Sequence, residues 1–257
     1  MTILDQIVAA TRERVARDKR AGLPPPCTTA RQPFAFERAL RRADDIAFIC
    51  EVKKASPSRG VIAAEFPYVD IAAAYESAGA AAVSVLTEPD FFLGDDRHLA
   101  EIRQTVALPL LRKDFVVDPF QIEQARRLGA DAVLLICAIL SADQLAAFIR
   151  EADRLGLSSL VEAHDESELR TALSCGARVV GVNNRNLKTF EVDTGNSVRL
   201  RGLAPPDVTM VSESGIRTAA DVAELRRHGI DAVLIGETFM RSNDKKAALT
   251  ALRGGGL

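Results

Sequence analysis

The chain has 257 residues, 33 basic against 35 acidic side chains, a formal charge of -2 and 47% hydrophobic residues. That composition excludes a largely disordered chain, and without a basic surplus to neutralise phosphates, nucleic acid is not an expected partner. No apolar run reaches the roughly 18 residues needed to cross a bilayer, and Met1 to Asp5 lacks the charged start and apolar middle of a signal peptide, so a cytoplasmic protein with no membrane partner is expected.

Ile3 to Arg20 shows helical spacing through Leu4, Ile7, Val8 and Val15, and Gly22 to Pro26 breaks it. From residue 46 onward, short aliphatic runs alternate with amphipathic stretches, the pattern of βα units around a parallel sheet. The predicted strands are Ile46 to Lys53, Ala82 to Thr87, Leu110 to Lys113, Ala132 to Ile139, Ser159 to Glu162, Val179 to Asn183, Val208 to Glu213 and Ala232 to Gly236. Helix starts are marked by Asp118 with Pro119, Ser141 with Gln144, Asp165 with Glu168, and Thr218 before Asp221. Gly129, Gly176 and Gly229 mark helix ends just before a strand. Eight such units close a (β/α)8 TIM barrel, whereas an open doubly wound sheet more often has five or six strands and a Gly-rich first turn, which is missing here. Barrels of this kind use about 200 to 250 residues as one domain. The expectation is therefore one α/β domain over residues 1–257, with residues 1–45 as an N-terminal helical extension that caps one barrel mouth.

Strands of a parallel sheet are covered on both faces and read as apolar runs. Several of these end in charge instead: the first in Glu51 and Lys53, the third in Lys113, the fifth in Glu162 and the seventh in Glu213. Side chains alternate along a strand, so Glu51 and Lys53 share a face with Ile49, while Phe48, Cys50 and Val52 share the other. If the bulky set meets the helices, the charged pair points into the barrel. All five charges come from odd-numbered strands, and inward layers of a barrel are built from alternate strands. Three carboxylates and two ammonium groups are thus expected to converge at the top of the barrel, paired, because an isolated buried ion is costly. The competing reading is a set of solvated strand ends or structural ion pairs.

A phosphate site is expected at the loops after strands seven and eight. They supply Ser214-Gly215-Ile216 and Gly236-Glu237, with Ser56 adding a hydroxyl from the first loop; Glu237 must turn its carboxylate away from an anion and offer only its N–H. The loop Gly181 to Leu187 after strand six offers amides at Asn183 and Asn184 and the guanidinium of Arg185, which suits a carboxylate. Phe92, Phe115, Leu134 and Leu187 lie near strand tops and are candidates for the floor of an apolar pocket, or plain core. Cys27, Cys50, Cys137 and Cys175 form no C-x-x-C pair and read as reduced packing residues; His98, His164 and His228 are equally scattered and give a metal no support.

The segments Glu51-Val52-Lys53-Lys54-Ala55-Ser56-Pro57-Ser58, Leu111-Arg112-Lys113-Asp114-Phe115, Leu160-Val161-Glu162, Gly181 to Leu187 and Ser212-Glu213-Ser214-Gly215-Ile216 resemble indole-3-glycerol phosphate synthases, in order and over essentially the whole chain. The resemblance implies conversion of 1-(2-carboxyphenylamino)-1-deoxyribulose 5-phosphate to indole-3-glycerol phosphate in tryptophan biosynthesis, with loss of carbon dioxide and water and without a metal or organic cofactor. It implies Lys113 as general acid on the ribulose carbonyl, Glu162 as acid/base in the dehydration, and Lys53 as holder of the substrate carboxylate or as a second acid. Glu51 and Glu213 would orient the ammonium groups, Asn183 and Arg185 would position substrate, and Ser56, Gly215 and Gly236 would hold phosphate. Other tryptophan-pathway enzymes are candidate partners. Asn184 and Thr238 depart from residues common in the family. Two alternatives stay open on sequence alone. A sugar-phosphate isomerase would need a Cys/Asp pair, and Cys50 has the wrong parity. A non-catalytic binder of an anionic metabolite would leave the charged cluster unexplained.

Overall fold

The computed structural model describes residues 2–41, 45–185, 191–242 and 244–255. Eight parallel strands close into a barrel: β1 (Ala47–Val52), β2 (Ala82–Leu86), β3 (Leu110–Lys113), β4 (Ala132–Ile136), β5 (Ser158–Ala163), β6 (Val179–Asn183), β7 (Thr209–Glu213) and β8 (Ala232–Ile235), with β8 paired back onto β1. Each expected strand is present. The fourth is shorter than its apolar run, because Cys137–Ile139 winds into a single 3₁₀ turn.

Alternation sorts the side chains as the sequence suggests. Phe48, Cys50 and Val52 pack outward with Val83, Val85, Val133, Leu135, Val180 and Val182 against the helices. Ala47 and Ile49 point inward with Leu111, Leu134, Leu160, Val211 and Leu234. A residue such as Phe48, wholly removed from water, contributes about 2 kcal/mol of apolar burial.

The helices start where the sequence marks them. Ser141 with Gln144 and Thr218 with Asp221 form capping boxes, and Asp165 accepts from Glu168 N–H. At Pro119 the first helical residue is Phe120, one position later than expected, with Pro119 itself in the cap position; the Asp118 carboxylate accepts the Phe120 N–H at 2.9 Å. Gly129, Gly176 and Gly229 all have positive φ, at 104°, 88° and 75°.

The extension caps both ends of the barrel. Helix α1 (Ile3–Ala21) lies over the C-terminal end of the strands, held by a bidentate pair from Arg14 to Asp114 at 2.7 and 2.8 Å and by Lys19 to Asp118 at 2.6 Å. Helix α2 (Ala35–Leu40), which periodicity did not mark, closes the opposite end; its Phe36 and Leu40 are fully buried in the inward cluster, and its Glu37 N–H donates to Ser158 at the start of β5.

Candidate active site

The inward layer of the odd strands is Ile49, Leu111, Leu160 and Val211. Two residues further along each of those strands stand Glu51, Lys113, Glu162 and Glu213. The pleat therefore delivers one residue from each of four strands to a common level, just above hydrocarbon. Even strands make room for them. A Cβ at Gly181 on β6 would collide with Glu213 Oε1, and one at Gly236 would sit 3.2 Å from Glu51 Cβ.

The charges are paired, as burial demands. Lys113 Nζ is 3.3 Å from Glu162 Oε2 and 3.5 Å from Glu213 Oε2, while Lys53 pairs with Glu51. The three carboxylate residues are each at most 4% exposed. Burial works against the Lys113 ammonium, yet Glu213, Glu162 and Glu51 overcome it and hold its pKa above the ordinary lysine value. Glu162 is likewise opposed by burial and is held below the usual carboxylate range by Lys113, His164 and an amide hydrogen bond from Asn183. Glu213 goes the other way: burial, with repulsion from Glu162 and Glu51, pushes it up to about 7 against the pull of Lys113. Its Oε1 has no hydrogen-bond partner among the described residues. One layer thus holds a firm cation, a firm anion and a carboxyl poised near neutrality.

This layer floors a cavity of about 500 Å³ that also brings together Lys53, Ser56, Phe92, Phe115, Leu134, Asn183, Arg185, Ser214, Gly215, Gly236 and Glu237. Among the substrate-contacting candidates, Leu187 lies outside the described residues. On one wall Ser214 and Gly215 have φ of 69° and 87°, which turns the chain sharply after β7. The Glu237 carboxylate pairs with two arginines of the same cavity, at 3.4 Å from Arg59 and 3.3 Å from Arg241. Asn183 Oδ1 accepts from Arg185 N–H and Ser214 Oγ, both at 3.0 Å, while its Nδ2 donates to Glu162 Oε1 at 3.4 Å. Asn183 therefore links the carboxylate layer to the phosphate-side loop. Asn184 is buried and ties β6 to β7 through Ser212, Ser214 and Ser197, a structural rather than chemical position. Thr238 Oγ1 donates to the Ile216 carbonyl.

Four features are not visible in the sequence pattern. Ile3, Leu4 and Ile7 of α1 form part of the cavity wall, so the extension is part of the site. Behind Lys113, Arg112 reaches Asp96 at 2.8 Å and Asp114 at 3.3 Å, and Arg14 grips Asp114 from α1. Arg217 joins Arg59 and Arg241 at the rim. His164 stands beside Glu162. Of these, only the buried arginine on β3 carries a local signal, a charge on the outward parity of a strand; the others depend on contacts between distant segments. Cys50, which an isomerase would need inside, is fully buried on the outer face, where burial raises its thiol well above the ordinary range. All four cysteines are free thiols.

The family model described as Indole-3-glycerol phosphate synthase matches residues 4–252. A protein of that name from Ruminiclostridium cellulolyticum is 57% identical, covering 98% of this chain and 99% of its own, and one from Endomicrobium trichonymphae is 52% identical with the same coverage. Among solved structures, 3-hexulose-6-phosphate synthase from Salmonella typhimurium superposes with a TM-score of 0.67 at 13% identity, over 81% of this chain and 97% of that one, a likeness of fold alone. With relatives this similar over nearly their entire length, and with the motif residues gathered at one barrel mouth, the chain belongs to the indole-3-glycerol phosphate synthase family, the carboxy-lyases of tryptophan biosynthesis.

Proposed function

We infer that the charged layer at the barrel mouth carries the family's reaction, with each residue in the role its position suits. The observation behind this reading is Lys113: a half-buried ammonium gripped by two carboxylates on the floor of a cavity large enough for a substituted aromatic sugar phosphate. Ring closure places negative charge on the ketone oxygen as the aromatic carbon attacks, and a fixed cation lowers that barrier without reorganising. Because its carboxylate neighbours keep Lys113 protonated, it enters the reaction as the acid and gives up its proton only once the oxygen has become strongly basic. Carbon dioxide then leaves with its bonding electron pair donated to the cationic ring system. Water leaves last, with Glu162 as acid/base, and Lys53 either holds the substrate carboxylate or serves as a second acid. Glu51 and Glu213 orient the two ammonium groups, and Asn183 and Arg185 position the substrate.

The phosphate rests on the loop amides of Gly215 and Gly236, the Glu237 N–H and the hydroxyls of Ser56 and Ser214, inside a rim of Arg59, Arg217 and Arg241 that attracts anions. Phe115 and Leu134, with the apolar side of α1, enclose the aromatic ring. This small anionic sugar phosphate is the partner in this reading; nucleic acid and membrane are not. The chain works in the cytoplasm, with other tryptophan-pathway enzymes as candidate neighbours. In support, the formal charge is -2, and among the described residues no helix is long and apolar enough to cross a membrane.

The test is direct because the chain contains no tryptophan and its own emission is weak. Purified protein given the carboxyphenylamino substrate alone should generate indole fluorescence and release one carbon dioxide per indole. Binding without product, or an isomerised sugar without indole, would overturn the reading.

A further inference from the structure

His164 has no part in the chemistry above, yet its surroundings fix it beside Glu162. It follows Glu162 by two residues, just past the end of β5, and turns toward the same mouth. Its N–H donates to Glu168 Oε2 at 2.8 Å, its ring Nδ1 lies 3.1 Å from the same oxygen, and its carbonyl accepts from Asn196 Nδ2 at 2.9 Å. Glu168 sits one turn into the helix Glu166–Ser174, whose cap Asp165 holds the Glu168 N–H. These contacts leave the imidazole one orientation. Its Nε2 is buried without a hydrogen bond among the described residues and stands 3.6 Å from Glu162 Oε1.

The two oxygens of Glu162 therefore have different company. Oε2 faces Lys113, and Oε1 faces Asn183 and His164. A ring nitrogen directed at a carboxylate oxygen favours carrying a proton, and here both nitrogens are so directed. The groups around the ring are Glu162 from β5, Glu168 and Asp165 from the following helix and its cap, Glu213 from β7, the neutral amide of Asn196, and the Cys137 thiol, which donates to the Glu168 carbonyl; Lys113 is the opposing cation across Glu162. The charged groups nearest the ring nitrogens are both carboxylates, Glu168 at 3.1 Å and Glu162 at 3.6 Å.

We propose that His164 is a positioning residue for Glu162: locked by Glu168, its imidazolium faces Oε1, keeps the carboxylate ionised in the resting enzyme, and leaves it ready to accept a proton during dehydration. Burial opposes the cation, but Glu168 and Glu162 outweigh it and raise the ring's pKa above the ordinary 6.5. The interaction is reciprocal by linkage: if His164 holds the Glu162 proton affinity down, Glu162 must hold that of His164 up by an equal free energy.

This proposal rests on Glu162 being the acid/base group, and the test keeps the two claims apart. The chain has three histidines, so NMR titration can assign His164 by difference against His164→Gln. The wild-type ring should titrate above 6.5 and fall by about one unit in Glu162→Gln, the scale of an ion pair about 4 Å apart in a high-dielectric setting. In kinetics, His164→Gln should move the acid limb of kcat upward by about one pH unit, because Glu162 loses a neighbouring cation and the dehydration follows the irreversible loss of carbon dioxide. Glu168→Gln should move it in the same direction by less, and it carries the test if His164→Gln does not fold. A His164 midpoint unchanged in Glu162→Gln, or a uniformly lowered rate with the limb in place, would overturn the proposal. Near-normal turnover in Glu162→Gln would instead remove the acid/base reading, while the NMR coupling would still decide whether the two groups interact.

Discussion

Lys113, Glu162 and Glu213 occupy one layer, and their proton affinities are set by one another rather than by residue type. Desolvation alone would make Lys113 a better acid and both glutamates weaker ones. Because two carboxylates share one ammonium, the cost falls on Glu213, which rises to about 7, while Glu162 remains ionised. Unfolded, Glu213 should titrate near its ordinary 4.5, so the folded state binds more protons between about pH 4.5 and 7. Its contribution to stability therefore falls as pH rises through that window and is constant above it. Glu213→Gln lacks this slope. Denaturant unfolding at about pH 5 and about pH 7.5 should show the wild type losing stability relative to the variant at the higher pH; parallel behaviour would contradict the shift. The sequence shows which charges meet, because strand parity decides it. It does not show which carboxylate yields, because that depends on the other partners each finds: His164 and the Asn183 amide stand beside Glu162, while Glu213 Oε1 has no hydrogen-bond partner among the described residues.

At the scale of elements, β-strands and helix caps are legible in the sequence because their signals are local: alternation, capping boxes and αL glycines. Helix α2 is not, since six residues are too few for a periodicity and its two buried anchors, Phe36 and Leu40, matter only against a barrel end already formed. The amphipathic run in α1 is visible, but its destination is not; Arg14 finds Asp114 a hundred residues away. That pair joins the extension to the residue after Lys113, with Asp114 fully buried and Arg14 only 12% exposed. Removing one partner of a buried pair typically costs about 3 kcal/mol. Arg112 and Thr87 still contact Asp114, so Arg14→Ala should cost about 2 kcal/mol of unfolding free energy. It should also loosen the wall made by Ile3, Leu4 and Ile7, raising KM several-fold with little change in kcat. Equal losses in kcat and kcat/KM would instead place Arg14 in the chemical step.

The whole molecule uses the barrel's geometry to gather charges that are far apart in sequence. Four odd strands reach one level, even strands supply glycine where a carboxylate needs room, α2 seals one end and α1 narrows the other. A chain with almost no net charge thereby presents an arginine rim above a floor of ion pairs, suited to a small anion and to little else. The barrel and the floor of the site are both legible in the order of residues, since both follow from the same period of two. The mouth is legible only in part: Ser56, Arg185, Ser214, Gly215 and Gly236 follow from the loops at strand ends, whereas the wall made by α1 depends on a distant contact that no periodicity encodes. The account stands on Lys113 and Glu162 acting on one substrate, and the most direct test is turnover by Lys113→Ala and Glu162→Gln, followed by indole fluorescence. Each should lower kcat by about 10²-fold or more while leaving the protein folded. Near-normal turnover in either variant would contradict the role assigned to that residue.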